Sequence, residues 1–170
     1  MSDGPLGEID LAIEDDRWRA VDLDGITAKI VSALGLEGRG LSLLATSDAA
    51  IAELNAAYRG KAKPTNVLSW PAFDLAPETP GEAPHPLPAP DFDDSIGDLA
   101  LAYETCAREA EAGGLALADH VTHLILHGIL HLLGYDHETD ADAALMEGLE
   151  TKQLASMGLH DPYLLAEDME

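Results

Sequence analysis

Cysteine is almost absent from this 170-residue chain. Cys106 stands alone, so no intramolecular disulfide and no multi-thiolate metal site can form, and no disulfide-linked partner is expected. Any metal must rest on nitrogen or oxygen. Positive charge is scarce as well. Nine Lys and Arg stand against 32 Asp and Glu, a net charge of −23. That balance works against binding phosphates, whose affinity comes from cations displacing counterions. The few cations are unevenly spread: Arg59, Lys61 and Lys63 lie close together, and only Arg108 and Lys152 follow them. No run of about eighteen apolar residues occurs, and the start MSDGPLGEID has neither a basic leader nor an apolar core. The expectation is a cytoplasmic protein without a membrane partner.

What is present suits one globular unit. With 46% hydrophobic residues, the chain can bury a sizeable core, and a single domain over 1–170 is expected. Alternating Ile9, Leu11 and Ile13 predict a strand. A helix capped by Asp24 and carrying Ile26, Ile30, Val31 and Leu34 should follow. The run Leu41 to Ala45 predicts a more buried strand. Ser47 or Asp48 can cap the next helix, on which Ile51, Leu54, Ala57 and Tyr58 share a face, and which stops near Gly60. TNVLSWP reads as a third short strand and Gly97 to Ala102 as a fourth. Seven of the ten prolines lie between Pro71 and Pro90, so a surface loop is expected over 71–95, as is a frayed tail over 160–170. Helices are expected near Glu104 to Ala112, from His120 to Leu133 capped by Asp119, and from Ala141 to Met157. The second of these is apolar nearly all round and should cross the core.

That core helix carries the chemistry. His127 and His131 are four apart, so their imidazoles project from one face about 5–6 Å apart at Cβ, a separation one ion can bridge. Gly134 can end the helix in a left-handed turn and return His137 toward the same ion. Three nitrogens and no thiolate suit zinc, with nickel, cobalt and copper as alternatives for the same frame, and leave a fourth position open. Burying unpartnered imidazoles would be costly, whereas coordination uses their lone pairs and nearby acceptors take the other N–H groups. Asp136, Glu138 and Asp98 are candidates for that outer layer; His123, one turn before His127, is another, with a fourth ligand as an alternative and a partnered core histidine as the favoured reading.

The spacing HxxxHxxGxxH is also the ligand frame of metzincin proteases, which carry a glutamate general base directly after the first histidine. Here that position is Gly128. A peptide hydrolase loses its base. Phosphodiester cleavage asks instead for a cation beside the metal, because negative charge grows on phosphoryl oxygens. The connection YRGKAKPTN offers Arg59 for that role, with Lys61, Lys63 and the Thr65 hydroxyl as further phosphate ligands.

Three blocks, LNAAYRGKAKPTNVLSWP, IGDLAL and HLILHGILHLLGYDH, together resemble the YbeY family of single-domain metal-dependent endoribonucleases. The recognisable segments run from about Leu54 to Trp70 and from Ile96 to Glu150. HGxLHLxGYDH is the most specific of them. Asn66 stands where Asp is common, Trp70 where Phe is common, and the Pro-rich insertion is longer than in many members. The resemblance implies an α+β fold with a small mixed four-stranded sheet against about five helices. It also implies a zincin-like site with zinc on His127, His131 and His137, and a functional Arg59. The implied substrate is single-stranded ribosomal RNA, cleaved in 3′-end maturation of the small-subunit RNA and in ribosome quality control. Small-subunit proteins would be partners, since their basic surfaces can attract an acidic C-terminal region. A zinc metalloprotease and a non-enzymatic, zinc-stabilised ribosome-assembly factor are the competing readings.

Overall fold

The computed structural model describes residues 9–60, 65–88, 95–137 and 139–159. Lys61, Lys63, Glu138 and the tail over 160–170 lie outside them, as does the side chain of Arg59. Four strands, β1 (Ile9–Ile13), β2 (Gly40–Thr46), β3 (Val67–Pro71) and β4 (Ser95–Ala102), form one sheet in the order β1-β2-β4-β3. The β1–β2 and β2–β4 pairs are parallel and β3–β4 is antiparallel. The mixed sheet expected from the sequence is therefore present, with β3 on an edge.

Five α-helices flank it: α1 (Leu23–Ala33), α2 (Asp48–Arg59), α3 (Tyr103–Ala112), α4 (Leu117–Leu132) and α5 (Asp140–Ser156). Two starts differ from expectation. The α1 cap is Asp22, whose carboxylate accepts from Gly25 N at 3.1 Å, and Asp24 sits in the first turn. Helix α4 begins three residues before His120, after Ala116, and Asp119 lies inside its first turn. A carboxylate inside the first turn still favours the helix N-terminus through the backbone dipole, so these acids support the helices without capping them. On α2, Ala57 and Tyr58 are exposed rather than core-facing, and Asn55 is buried. The Tyr58 ring rests edge-on against Trp70 of β3.

A short 3-10 helix at Asp16–Ala20, not foreseen among its polar neighbours, plants Trp18 in the core. The indole N–H donates to the Thr46 carbonyl at 2.9 Å, which satisfies its one polar atom. Helix α4 does cross the core, with nine of its sixteen residues buried. It approaches the sheet closely at Gly128, where a Cβ would stand 2.7 Å from Leu99 Cδ2 and 3.5 Å from Val67 Cγ2.

The Pro-rich segment is docked in part, against the expectation that its composition cannot pack. Leu75 is buried, Leu87 packs against the core, and Gly81 N donates to Asp142 of α5 at 2.8 Å. His85 N donates to the Leu75 carbonyl at 2.9 Å. Two leucines among prolines suffice to anchor it, because proline carries little backbone freedom to lose on ordering.

Candidate metal centre

On α4 the stripe His123, His127 and His131 recurs every four residues, and all three are half-buried on a helix otherwise clothed in apolar side chains. Helix geometry lines them up on one face. After the helix, Gly134 adopts φ +102°, and Tyr135 N donates back to the Leu130 carbonyl at 3.0 Å, so the chain reverses within three residues. A Cβ on Gly134 would lie 2.8 Å from the Leu75 carbonyl carbon and oxygen. Both the left-handed backbone and this close approach require glycine. Asp136 then accepts the His137 backbone N–H at 2.7 Å and fixes the turn.

The result is convergence. One ligand nitrogen from each of His127, His131 and His137 falls within 4.8 Å of the others, and the Nε2 atoms of His127 and His131 are 3.1 Å apart. A tetrahedral zinc with bonds of about 2.0–2.1 Å holds its nitrogens roughly 3.3 Å apart, so the three residues fit such an ion. Burial, helped by His127 and His137, pulls the His131 imidazole down to about 4 against the opposing pull of Asp136. The ring is therefore neutral at ordinary pH, with a lone pair to offer. His123 does not join the three; its Nε2 lies 2.6 Å from Glu150 Oε2.

Glu150 was not singled out from the sequence. It projects from α5 and is 0% exposed, between the buried Met146 and Leu154. Its oxygens stand 3.3 Å from His127 Nδ1. Burial alone would raise its carboxyl, but the hydrogen bonds from His123 and His127 outweigh that and hold it below the usual carboxylate range. The one available signal was a charged residue in an apolar stripe, at i+4 from Met146 and i−4 from Leu154.

Asp98 is not near the histidines. On β4 it alternates with Ala100 and Ala102, which pack with Ile51 of α2, whereas Leu99 faces α4. The two-residue strand period therefore turns Asp98 to the opposite face of the sheet, where it is exposed. Asp136 does border the site.

The histidines open onto a cleft of about 1080 Å³. One wall is the edge strand β3 with Thr65, Asn66 and Ser69, and another is the docked segment from Ala72 to Ala76, including Phe73 and Asp74. Asn55 of α2 lines the cleft, and Arg59 ends the same helix one turn later. Gly60, at φ 70°, stops α2 in a left-handed cap, as its sequence position predicts. Cys106 lies apart from this chemistry. It is buried, its thiol donates to the Asn66 carbonyl at 3.5 Å, and burial with Glu109 and Asp48 pushes it up to about 12. Such a thiol stays protonated and is no nucleophile. No single helix among the described residues is long and apolar enough to cross a membrane.

Residues 12–158 match the sequence profile of endoribonuclease YbeY. The endoribonuclease YbeY of Dinoroseobacter shibae is 55% identical over 162 residues, spanning 91% of this chain and 90% of its own. That of Jannaschia sp. is 55% identical over 162 residues, covering 92% and 99%, and that of Sinorhizobium fredii is 43% identical over 169 residues, covering 92% and 91%. Among solved structures, TM1509 from Thermotoga maritima shares the fold, with a TM-score of 0.55 at 18% identity over 88% of this chain and 91% of that one.

Proposed function

Because the chain belongs to the YbeY family of endoribonucleases, we propose that it cleaves single-stranded ribosomal RNA with zinc as its metal. We assign the work to 3′-end maturation of the small-subunit RNA and to ribosome quality control, in the cytoplasm. The observation that carries this reading is the three-imidazole cluster lining an open cleft of about 1080 Å³.

A bound zinc would act as a Lewis acid toward a phosphoryl oxygen. The chain's own residues do the rest. His127, His131 and His137, all of which line the cleft, would hold the ion. Arg59 offers a bidentate guanidinium to the phosphate as charge develops there, a geometry that lysine does not match. Lys61, Lys63 and the Thr65 hydroxyl grip neighbouring phosphates and fix the register of the strand. These cations with the ion make one positive cleft on an acidic body. Proteins of the small subunit supply further attraction, toward the C-terminal region with its nine acids and one lysine after His137.

The test is an Arg59→Glu variant assayed on single-stranded RNA carrying the 3′ end of the small-subunit rRNA, with metal content and folding measured alongside. Cleavage should vanish while zinc content and circular dichroism stay at wild-type values. Cleavage at the wild-type rate would remove Arg59 from the reaction, and zinc-dependent hydrolysis of casein would turn the assignment toward a protease.

A further inference from the structure

Among the described residues, Glu150 is the one fully buried carboxylate, and it is carried by a different helix from the histidines it touches. Oε2 is 2.6 Å from His123 Nε2, and both oxygens are 3.3 Å from His127 Nδ1. On the far side of the same ring, His127 Nε2 is 3.1 Å from His131 Nε2, and the His137 ring centroid is 5.4 Å away. His127 thus stands between a carboxylate behind and two imidazoles in front. A carboxylate accepts hydrogen bonds, so the ring nitrogen facing it carries the proton. A neutral imidazole has one N–H and one lone pair, and placing the N–H on Nδ1 leaves the lone pair on Nε2.

We propose that Glu150 is the positioning residue of the metal centre: it fixes His127 as the Nδ1–H tautomer with Nε2 aimed at the ion, and so ties docking of α5 to metal occupancy. The inference rests on the metal reading of His127, His131 and His137. His123 serves Glu150, not the ion, by holding the carboxylate from its other side. The opposite arrangement, an ion among His123, His127 and Glu150, also brings three ligand atoms within 4.8 Å. It fits less well. Two ligand atoms on one zinc stand roughly 3.3 Å apart, given bonds of about 2.0–2.1 Å, and the 2.6 Å between His123 and Glu150 is a hydrogen-bond length instead. Glu150 in that group is also fully buried, whereas His127, His131 and His137 all line the cleft.

Zinc affinity of the full-length protein, by competition against a chromophoric chelator, tests this with Glu150→Gln, Glu150→Ala, His131→Ala and His137→Ala. Urea midpoints of the metal-free proteins show which variants fold. Glu150→Gln, which keeps an acceptor oxygen without the charge, should weaken zinc binding about tenfold and Glu150→Ala nearer a hundredfold. Both losses should exceed what the stability change predicts. Nitrogen NMR of the zinc-loaded wild type needs no variant and should show His127 protonated at Nδ1. Wild-type affinity in a folded Glu150→Gln protein overturns the proposal, as does a proton on His127 Nε2. Full zinc binding by His131→Ala and His137→Ala with none by Glu150→Ala would put the ion among His123, His127 and Glu150 and overturn it as well. A wild-type protein that binds no zinc at all would instead bring down the metal reading beneath it.

Discussion

Replacing Gly134 by alanine separates two costs that the structure lets one count. The first is backbone. At φ +102° any side chain is strained, and holding a non-glycine residue in so sparsely populated a region costs about 1–3 kcal/mol. The second is space. The new methyl would stand 2.8 Å from the Leu75 carbonyl carbon and oxygen and 2.9 Å from its Cβ. Carbonyl atoms cannot rotate aside as a side-chain tip can, so either Leu75 lifts from its buried seat or the turn carrying His137 shifts. Overpacking of this sort costs about 1–3 kcal/mol. Together the loss is about 2–6 kcal/mol, a large share of the stability of an ordinary domain. Gly35→Ala supplies the control, since φ there is +70° and a Cβ would meet nothing within 4 Å; only the left-handed penalty of about 1–2 kcal/mol applies. Urea unfolding of both metal-free variants measures the difference, and a chelator competition shows whether His137 still reaches zinc. Equal destabilisation of the two variants, with unchanged zinc affinity in Gly134→Ala, would refute the claim that the Leu75 contact sets the third ligand.

Acid should destabilise the metal-free protein through His131. Its folded value of about 4 lies below the ordinary 6.5, so the unfolded chain takes up this proton first. The contribution is present above pH 6.5 and is lost as pH falls toward about 4, by at most about 3 kcal/mol before solvent screening of a half-buried ring. Urea midpoints in chelator across that range check it, and a His131→Asn variant should lose this slope. RNA binding should be weak and salt-dependent. With contacts from Arg59, Lys61 and Lys63 only, the slope of log affinity against log salt for a single strand should be about −2, and a slope near −6 would mean a far larger phosphate-binding surface. Gly128→Glu, which recreates a metzincin-like sequence, should cost more than about 2 kcal/mol, because Leu99 and Val67 occupy the space and a carboxylate would be buried there. A melting temperature equal to wild type would show that the helix can rise off the sheet.

The three-histidine cluster was legible because it is local. His127, His131 and His137 fall within eleven residues, and helix period plus one glycine fixes their relation without knowledge of anything else in the fold. The strands were legible for a similar reason, since alternation and turn residues mark them one by one. Helix starts were less so: Asp22 and Asp24 are both competent caps, and the choice depends on where Leu23 enters the core. Asp98 was misplaced because its position in the sequence, beside Leu99, says nothing of which face of β4 meets α4. Glu150 was missed for the deepest reason. It acts on a residue 23 positions away, and its role exists only once α5 has chosen the face it buries.

Gly128 changes meaning between sequence and structure. As a letter after the first histidine, it is the missing general base of a peptidase. In the fold, it is a point where α4 lies close against the sheet, and the direction a side chain would take from it leads first into Leu99 and Val67. The absence of a base and the nearness of helix to sheet are then one fact. A helix seated this deeply has its 128 face against the strands, and the stripe through 123, 127 and 131 carries its polar groups beyond the first turns. That stripe has two ends. One opens onto the cleft, where the imidazoles of His127, His131 and His137 converge; at the other stands Glu150, whose carboxylate accepts the hydrogen bond of His127. Carboxylate behind and open space in front is an arrangement that suits a firmly held but accessible metal, and the helix that lines the cleft through Asn55 ends at Arg59.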